Sequence, residues 1–381
     1  MIFLILFSTV LLILYSYVGW KFLWSMKIPS HYKILLIVLL AIFYCLPIIT
    51  FVFYFNKIEN NCTRIIAWFG YTGLGTVSLL FFIQISVDIV LAMKSIFTRG
   101  NHFDPHRRAF LGLSLKGIVG ALGAIGTVWG LYNAVKTPVI KKVNISITDL
   151  PKSLQGLRMA QISDLHVGSM IGKNFISKVV KKIDKINPDI LFFTGDAADG
   201  SVESYGSHLE DLGKIQPRYG KFFVTGNHEY YSDMNGWLRL IENLGFKILI
   251  NESQNIIING STVMITGIPD RGGKYFSDFH KTDMEKAVDG MPESDIKILL
   301  AHQPKDVEHA VKYNFHLQLS GHTHGGQYFP FSLLVQMAHP FIKGLHKRNN
   351  TWVYINQGTG YWGPPLRIGT EPEITELTLT A

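Results

Sequence analysis

Ser320-Gly321-His322-Thr323-His324-Gly325-Gly326-Gln327 carries two histidines one residue apart. In extended backbone, positions i and i+2 leave the same face, so both rings can point at one ligand. The flanking glycines supply the tight turn that such a pair needs. The apolar run at residues 315–319 leads into it and reads as a strand. Ordinary surface and core histidines outnumber ligating ones, so the pair alone decides little. Four other apolar runs that stop in the same manner decide the reading.

Working outward, residues 158–163 stop at Asp164-Leu165-His166, and residues 189–194 stop at Gly195-Asp196-Ala197-Ala198-Asp199. Residues 221–225 stop at Gly226-Asn227-His228-Glu229, and residues 295–301 stop at His302. Each cluster alone has an ordinary explanation: a solvated loop, a turn at Gly195-Asp196, or a helix cap at Asn227-His228 or before Gln303-Pro304. Five together, each at a strand end, do not. Residues 174–186 place Phe175, Ile176, Val179, Val180, Ile183 and Ile186 at helical spacing. Residues 237–244 and 284–288 read as helices too, and residues 139–147 as a half-buried strand. Alternating strands and helices predict an α/β architecture, whose functional crevice lies at the carboxyl ends of the strands.

Carboxylate, imidazole and amide oxygen without sulfur suit a divalent metal such as Mn, Fe or Zn, whereas calcium wants more carboxylates and carbonyls. The donors suffice for two ions, with a carboxylate such as Asp196 bridging them. Two ions about 3.5–4 Å apart can hold a shared hydroxide and clamp the attacking and leaving oxygens of a phosphoryl centre. Both cysteines, Cys45 and Cys62, precede this region, which excludes cysteine-ligated zinc and a cysteine nucleophile from it. The net charge of +8 fits an anionic partner such as a phosphate ester or an anionic lipid head group. No basic run with interleaved aromatics points to nucleic acid.

The first 135 residues follow different rules. Only 17% of the chain is charged, its mean hydropathy is positive, and the apolar excess is crowded before residue 136. Spans are predicted near 2–20, 34–55, 65–93 and 118–135, against the need for about 20 helical residues to cross a hydrocarbon core. The first lacks a basic leader and a small-residue cleavage site, which makes it an anchor. Asp88 is expected at the interface or facing a neighbouring helix. Gly117, Gly120, Gly123, Gly126 and Gly130 along the fourth span favour close helix packing. Lys21, Lys27, Lys33, Lys94, Arg99, Arg107 and Arg108 stand in the first and third loops; Lys57, Arg64, Lys136, Lys141 and Lys142 stand in the second loop and after the fourth span. These seven outnumber the five, which turns the first group to the cytoplasm. Arg107-Arg108-Ala109-Phe110-Leu111 reads equally as a twin-arginine export signal or as a plain positive-inside anchor. Either places the C-terminal domain on the non-cytoplasmic side. The expected organisation is a multi-pass membrane region over 1–135 and an α/β domain over 136–381.

Asp-x-His, Gly-Asp-x-x-Asp, Gly-Asn-His-Glu, a lone His and Gly-His-x-His, in this order, resemble the calcineurin-like metallophosphoesterase family over residues 143–379. The resemblance implies a four-layer αββα sandwich with a dinuclear site. By position, Asp164, His166 and His324 would bind the first metal, Asp196 would bridge, and Asn227, His302 and His322 would bind the second. His228 would be the general acid or transition-state stabiliser beside the leaving oxygen, a role worth about 10²–10⁴-fold. Asp199 would orient that ring, and Glu229 would be structural. Protein Ser/Thr phosphatases of the superfamily follow their second aspartate with a phosphate-gripping arginine, whereas Gly200-Ser201 follow Asp199 here, which weakens the case for a phosphoprotein substrate.

The tail Gly358-Thr359-Gly360-Tyr361-Trp362-Gly363-Pro364-Pro365-Leu366-Arg367, with Pro372-Glu373 beyond it, is similar to a membrane-attached branch of the family. Some of that branch resemble UDP-2,3-diacylglucosamine hydrolases of lipid A synthesis. Arg367 is a candidate phosphate contact, with a surface ion pair as the other reading. Phe329, Phe331, Leu333, Leu334, Val335, Met337 and Phe341 follow the histidine pair. A helix packed in the core is expected there, and an apolar wall for acyl chains or a segment dipping into the bilayer is the alternative. The implied function is a membrane-anchored phosphoesterase cleaving a phosphodiester or pyrophosphate, with the lipid bilayer as partner and a phosphorylated lipid or nucleotide-linked molecule as substrate. A glycolipid hydrolase of lipid A type, a non-catalytic membrane receptor or scaffold, and a small transporter are the rivals. The complete ligand set with His228 speaks against the receptor, and the scarcity of intramembrane charge against the transporter.

Overall fold

A computed structural model describes residues 2–24, 28–97 and 105–381. The chain divides into two compact units: Met1–Asn133 with Gly363–Ile368, and Ala134–Trp362 with Gly369–Ala381.

The first unit is built on α1 (Ile2–Leu23), α2 (Ser30–Phe55), α3 (Asn61–Phe97) and α4 (Pro105–Val135). Each contains a stretch long and apolar enough to cross a membrane. The helices overrun the predicted spans, α4 most of all, because hydropathy marks what hydrocarbon requires and not where helical hydrogen bonding stops. The side chains of Arg107 and Arg108 lie outside the described residues, as do Lys27 and Arg99. Leu11, Tyr15 and Val18 of α1 pack with Leu74 and Val77 of α3. At Gly123 a Cβ would stand 2.4 Å from Leu80 Cδ2, so α3 and α4 meet closely there. Gly117 has nothing within 4 Å of its would-be Cβ among the described residues, which show no continuous packing stripe along the glycine run. Asp88 faces α1: the Tyr17 hydroxyl donates to it, Lys21 Nζ lies 2.7 Å away, and Gln84 Nε2 donates at 3.0 Å.

In chain order the second unit runs β1 (Val139–Ser146), β2 (Arg158–Ile162), β3 (Val167–Gly168), α5 (Lys173–Ile186), β4 (Ile190–Phe193), β5 (Ala198–Asp199) and α6 (Val202–Tyr205). It continues through β6 (Lys221–Phe223), α7 (Asn227–Tyr231), α8 (Met234–Asn243), β7 (Phe246–Ile248), β8 (Glu252–Ile258), β9 (Ser261–Gly267), α9 (Met284–Val288) and β10 (Ile296–Leu300). The last elements are α10 (Val307–Lys312), β11 (Leu317–Ser320), α11 (Phe331–Ala338), β12 (Gly344–Arg348), β13 (Thr351–Ile355) and β14 (Glu373–Thr380). Two six-stranded sheets result, ordered β1-β14-β2-β4-β6-β7 and β12-β13-β11-β10-β9-β8, with β3 and β5 as a small separate pair. β2, β4, β6 and β7 run parallel, as do β9, β10, β11 and β13.

Strand alternation sorts the layers. Met159, Ile190, Phe192 and Phe222 of the first sheet meet Ile265, Ile298, Leu300, Leu317 and Leu319 of the second. Their neighbours Ala160, Ile162, Leu191, Phe193 and Phe223 turn the other way, onto Ile176, Val179 and Ile183 of α5 and Trp237 and Ile241 of α8. Beyond the second sheet, Met264, Leu299 and Ala301 pack with Met284 of α9 and Ala310 of α10. Three cores separate four layers, the αββα architecture. Each fully buried Ile, Leu or Phe among them is worth about 1.5–3 kcal/mol.

One expectation fails. α11 is not a core helix: none of its eight residues is buried. Its spacing showed that it has two sides but not which side faces protein.

Candidate metal centre

The parallel strands of both sheets end at the candidate donors. Asp164 and His166 follow β2, Asp196 follows β4, and Asp199 ends β5; Asn227 and His228 open α7 just after β6. His302 follows β10, and His322 and His324 follow β11. Turning each chain end back towards a shared centre demands unusual backbone. Asp164, His166, Asp196, His322 and His324 have φ of 53°, 49°, 55°, 71° and 50°, a region that costs a non-glycine residue about 1–3 kcal/mol. Gly321 admits the close approach that results, since a Cβ there would stand 2.0 Å from Ser163 Oγ and 2.3 Å from Asp164 Oδ2.

Donor atoms of Asp164, His166 and His324 lie within 4.8 Å of one another, and so do those of Asp196, His302 and His322. A third set, His166, Asp196 and His228, joins them. His166 Nε2 is 3.1 Å from His324 Nε2, which is 3.4 Å from Asp164 Oδ1. His302 Nε2 is 3.2 Å from Asp196 Oδ2 and 3.3 Å from His322 Nδ1. Asn227 Oδ1 is buried with no hydrogen-bond partner among the described residues. A buried acceptor left so is costly unless something else binds it. Two carboxylate–imidazole sets with an orphaned amide oxygen fit two divalent cations with mixed nitrogen and oxygen ligands.

A second layer of hydrogen bonds holds these donors. His302 Nδ1–H donates to Thr194 O at 2.6 Å, which leaves Nε2 to face Asp196. Asp164 accepts the His322 main-chain N–H at 3.0 Å and 3.1 Å on its two oxygens. Gln161 Nε2 donates to Thr194 Oγ1 at 2.9 Å and to Ser320 O at 3.0 Å, joining the two sheets beneath the centre. Glu229 accepts main-chain N–H groups of Asp196 at 3.0 Å, Ala197 at 2.7 Å and Gly226 at 2.6 Å. Its structural role is therefore to tie the loop after β4 to the start of α7. Burial and the Asp196 carboxylate push its own carboxyl up to about 7. Gln161 and Thr194 gave no signal in the sequence; Glu229, three residues after the helix-capping Gly226, stands at capping-box spacing.

His228 Nδ1 is 2.5 Å from Asp199 Oδ1, and the His228 main-chain N–H donates to Asp196 Oδ1 at 2.8 Å. Burial alone would lower the imidazole; Asp199 and Asp196 outweigh it and push the ring up to about 9. Asp199 Oδ2 is also 3.2 Å from His166 Nδ1. Burial works against its ionisation, yet His228 and His166 hold its carboxyl well below the usual range. Asp199 thus hydrogen-bonds the His228 ring, as the sequence suggested, and its other oxygen faces His166 Nδ1 without a hydrogen bond. Tyr231 and Trp362 stand edge-on to His228 with ring centroids 5.4 Å and 5.5 Å away. Gln327 holds Trp362 by its main chain, donating to Trp362 O at 2.8 Å and accepting from Trp362 N at 3.1 Å. Nothing in the sequence pointed to this clamp. Arg367 belongs to the Gly363–Ile368 loop of the helical unit, is fully buried, and donates its main-chain N–H to Gly130 O at 2.9 Å. The surface ion-pair reading of Arg367 does not hold.

The profile described as Calcineurin-like phosphoesterase matches residues 157–326. The chain is similar to a protein named "Transmembrane protein with metallophosphoesterase domain" in Danio rerio, 38% identical over 264 residues that cover 67% of this chain and 60% of that one. A protein of the same name in Bos taurus is 35% identical over 266 residues, with 67% and 60% covered. The match spans 60% of the length of these vertebrate relatives. An "Uncharacterized metallophosphoesterase" of Helicobacter pylori is 36% identical over 261 residues, 68% of each chain.

Proposed function

The chain belongs to the calcineurin-like phosphoesterase family, and from that premise we propose that it is a membrane-anchored, two-metal phosphoesterase cleaving a phosphodiester or pyrophosphate in a lipid-linked or membrane-proximal substrate. The observation that carries this is the pair of donor sets, Asp164–His166–His324 and Asp196–His302–His322, linked by His166 Nε2 at 3.7 Å from Asp196 Oδ2, with the His228–Asp199 pair alongside. Asp164, His166, Asp196 and His324 would hold one divalent cation, and Asp196, Asn227, His302 and His322 the other. Mn, Fe or Zn bound there supplies charge neutralisation for the phosphoryl oxygens and activates water.

The protein's own groups do the rest. The protonated His228 ring, held by Asp199, donates its proton to the leaving oxygen. Asp199 keeps His228 in register, and Glu229 keeps the loop after β4 and the start of α7 at fixed separation. The four apolar helices and the transmembrane relatives support a substrate at the membrane. The excess of Lys and Arg in the first and third loops supports a catalytic unit outside the cytoplasm, which a reporter fused to the C terminus reads directly.

The test uses the full chain in detergent with Mn²⁺ and bis-p-nitrophenyl phosphate. Turnover is expected, with a loss of about 10²-fold or more in His228→Ala and a comparable or greater loss in Asp196→Ala. Turnover that survives unchanged in both variants removes the assignment. A screen of lipid-linked against nucleotide-linked phosphates then sets the substrate class.

A further inference from the structure

Residues 327–342 contain no Asp, Glu, Lys or Arg, and Lys343, His346, Lys347 and Arg348 follow at once. Within this stretch α11 departs from an ordinary surface helix, which turns its apolar side inward: apolar residues are exposed along it together with Gln336. Ser332 is tucked in: a Cβ at Gly326 would stand 2.4 Å from the Ser332 Cβ. Leu333, Leu334 and Met337 point out, and Met337 is 85% exposed. The helix also borders the metal centre at both ends. Gln327, before it, clamps Trp362 beside His228, and His339, after it, has its ring 5.1 Å from that of His322.

We propose that the outer face of α11, with Lys343 near the histidine loop beyond it, is a docking surface for a lipid bilayer containing anionic head groups. An exposed apolar helix face with a Lys nearby is the chemistry of a helix lying in the membrane interface; Lys347 and Arg348, opposite Trp352 and Thr351 along β12, stand at the far end of the sheet and take no part. The four bilayer-length helices in the same chain keep it at a membrane. Docked so, the mouth of the metal centre opens at the head-group level, where a phosphorylated lipid presents its phosphate. As a claim about substrate access this rests on the proposed function; as a claim about lipid contact it stands alone.

The test takes the full chain, with Cys45→Ser and Cys62→Ser, in nanodiscs of phosphatidylcholine and phosphatidylglycerol. A nitroxide is placed at Leu334→Cys or Met337→Cys, with Ile257→Cys on β8, itself exposed, as reference. Leu334 and Met337 labels are expected to favour collisions with oxygen over a water-soluble nickel chelate, and the Ile257 label the reverse. Labels as open to nickel as that at Ile257 overturn the proposal, and so do labels shielded from both reagents with spin–spin broadening, the signature of a second copy. In parallel, Leu334→Ser with Met337→Ser is expected to retain bis-p-nitrophenyl phosphate turnover and to lose about tenfold on vesicle-embedded phosphatidyl-p-nitrophenol. Equal activity on both substrates overturns it. If the unsubstituted chain cleaves neither probe, the proposed function has failed, and the labels still decide the docking.

Discussion

Asp164, Asp196, Glu229 and His302 carry their polarity at 2% exposure or less, whereas Met337 presents its thioether at 85%, only thirteen residues beyond His324 in the same unit. The strands between them sort normally, with Phe192 and Phe193 fully buried on opposite faces of β4. Burying charge and exposing hydrocarbon each cost free energy, and each persists where something outside the polypeptide compensates. For the strand-end cluster the compensation fits divalent cations; for α11 it fits lipid. The two departures have different internal support. The cluster is braced by hydrogen bonds from the chain itself, whereas Met337 on the helix face is left 85% exposed.

That contrast is broken or sharpened first at Glu229. Glu229→Ala strips the acceptor from three buried main-chain N–H groups at once, and the thermal midpoint of the full chain should fall by the equivalent of about 3 kcal/mol or more. Glu229→Gln should recover only part of it, because its amide presents a donor where a carboxylate oxygen accepted. A midpoint unmoved in Glu229→Ala would mean that the ligand loops need no bracing.

A smaller effect is expected at Gln327, the residue where the two regions join. Its φ of 49° makes Asn a fair replacement, since Asn tolerates that conformation and is one methylene shorter. Gln327→Asn should lose both bonds to Trp362, about 0.5–1.5 kcal/mol each, lowering the thermal midpoint by a few degrees, and turnover measured where the chain stays folded should drop about tenfold. Turnover unchanged under that condition would make the clamp a plain structural contact.

The donors could be read from the chain because each ends an apolar run, and strands end where such runs end. What braces them was hidden. Glu229 reaches backbone more than thirty residues away, and Gln161 looks like any strand-interior amide until the second sheet supplies Ser320 O. The Gly363–Ile368 loop escaped for the same reason: Leu366 meets Gly75 and Gly130, whose small size carries no pairing signal. Four spans were legible from hydropathy, their helical ends were not, and the outward side of α11 depended on contacts that spacing does not encode.

The smallest predicted effect is the one that separates the two regions most cleanly. Met337→Ser in detergent should shift stability by no more than about 0.5 kcal/mol, because a side chain so exposed has no packing to lose. A comparable deletion at Met159, fully buried between the sheets, should cost about 2–5 kcal/mol. Thermal melting of both variants checks the pair. If Met337→Ser melts like Met159→Ser, α11 is packed against protein as its apolar composition suggests, and the helix needs no lipid to explain it. If it melts like the parent chain, the hydrocarbon on that face is not there for folding.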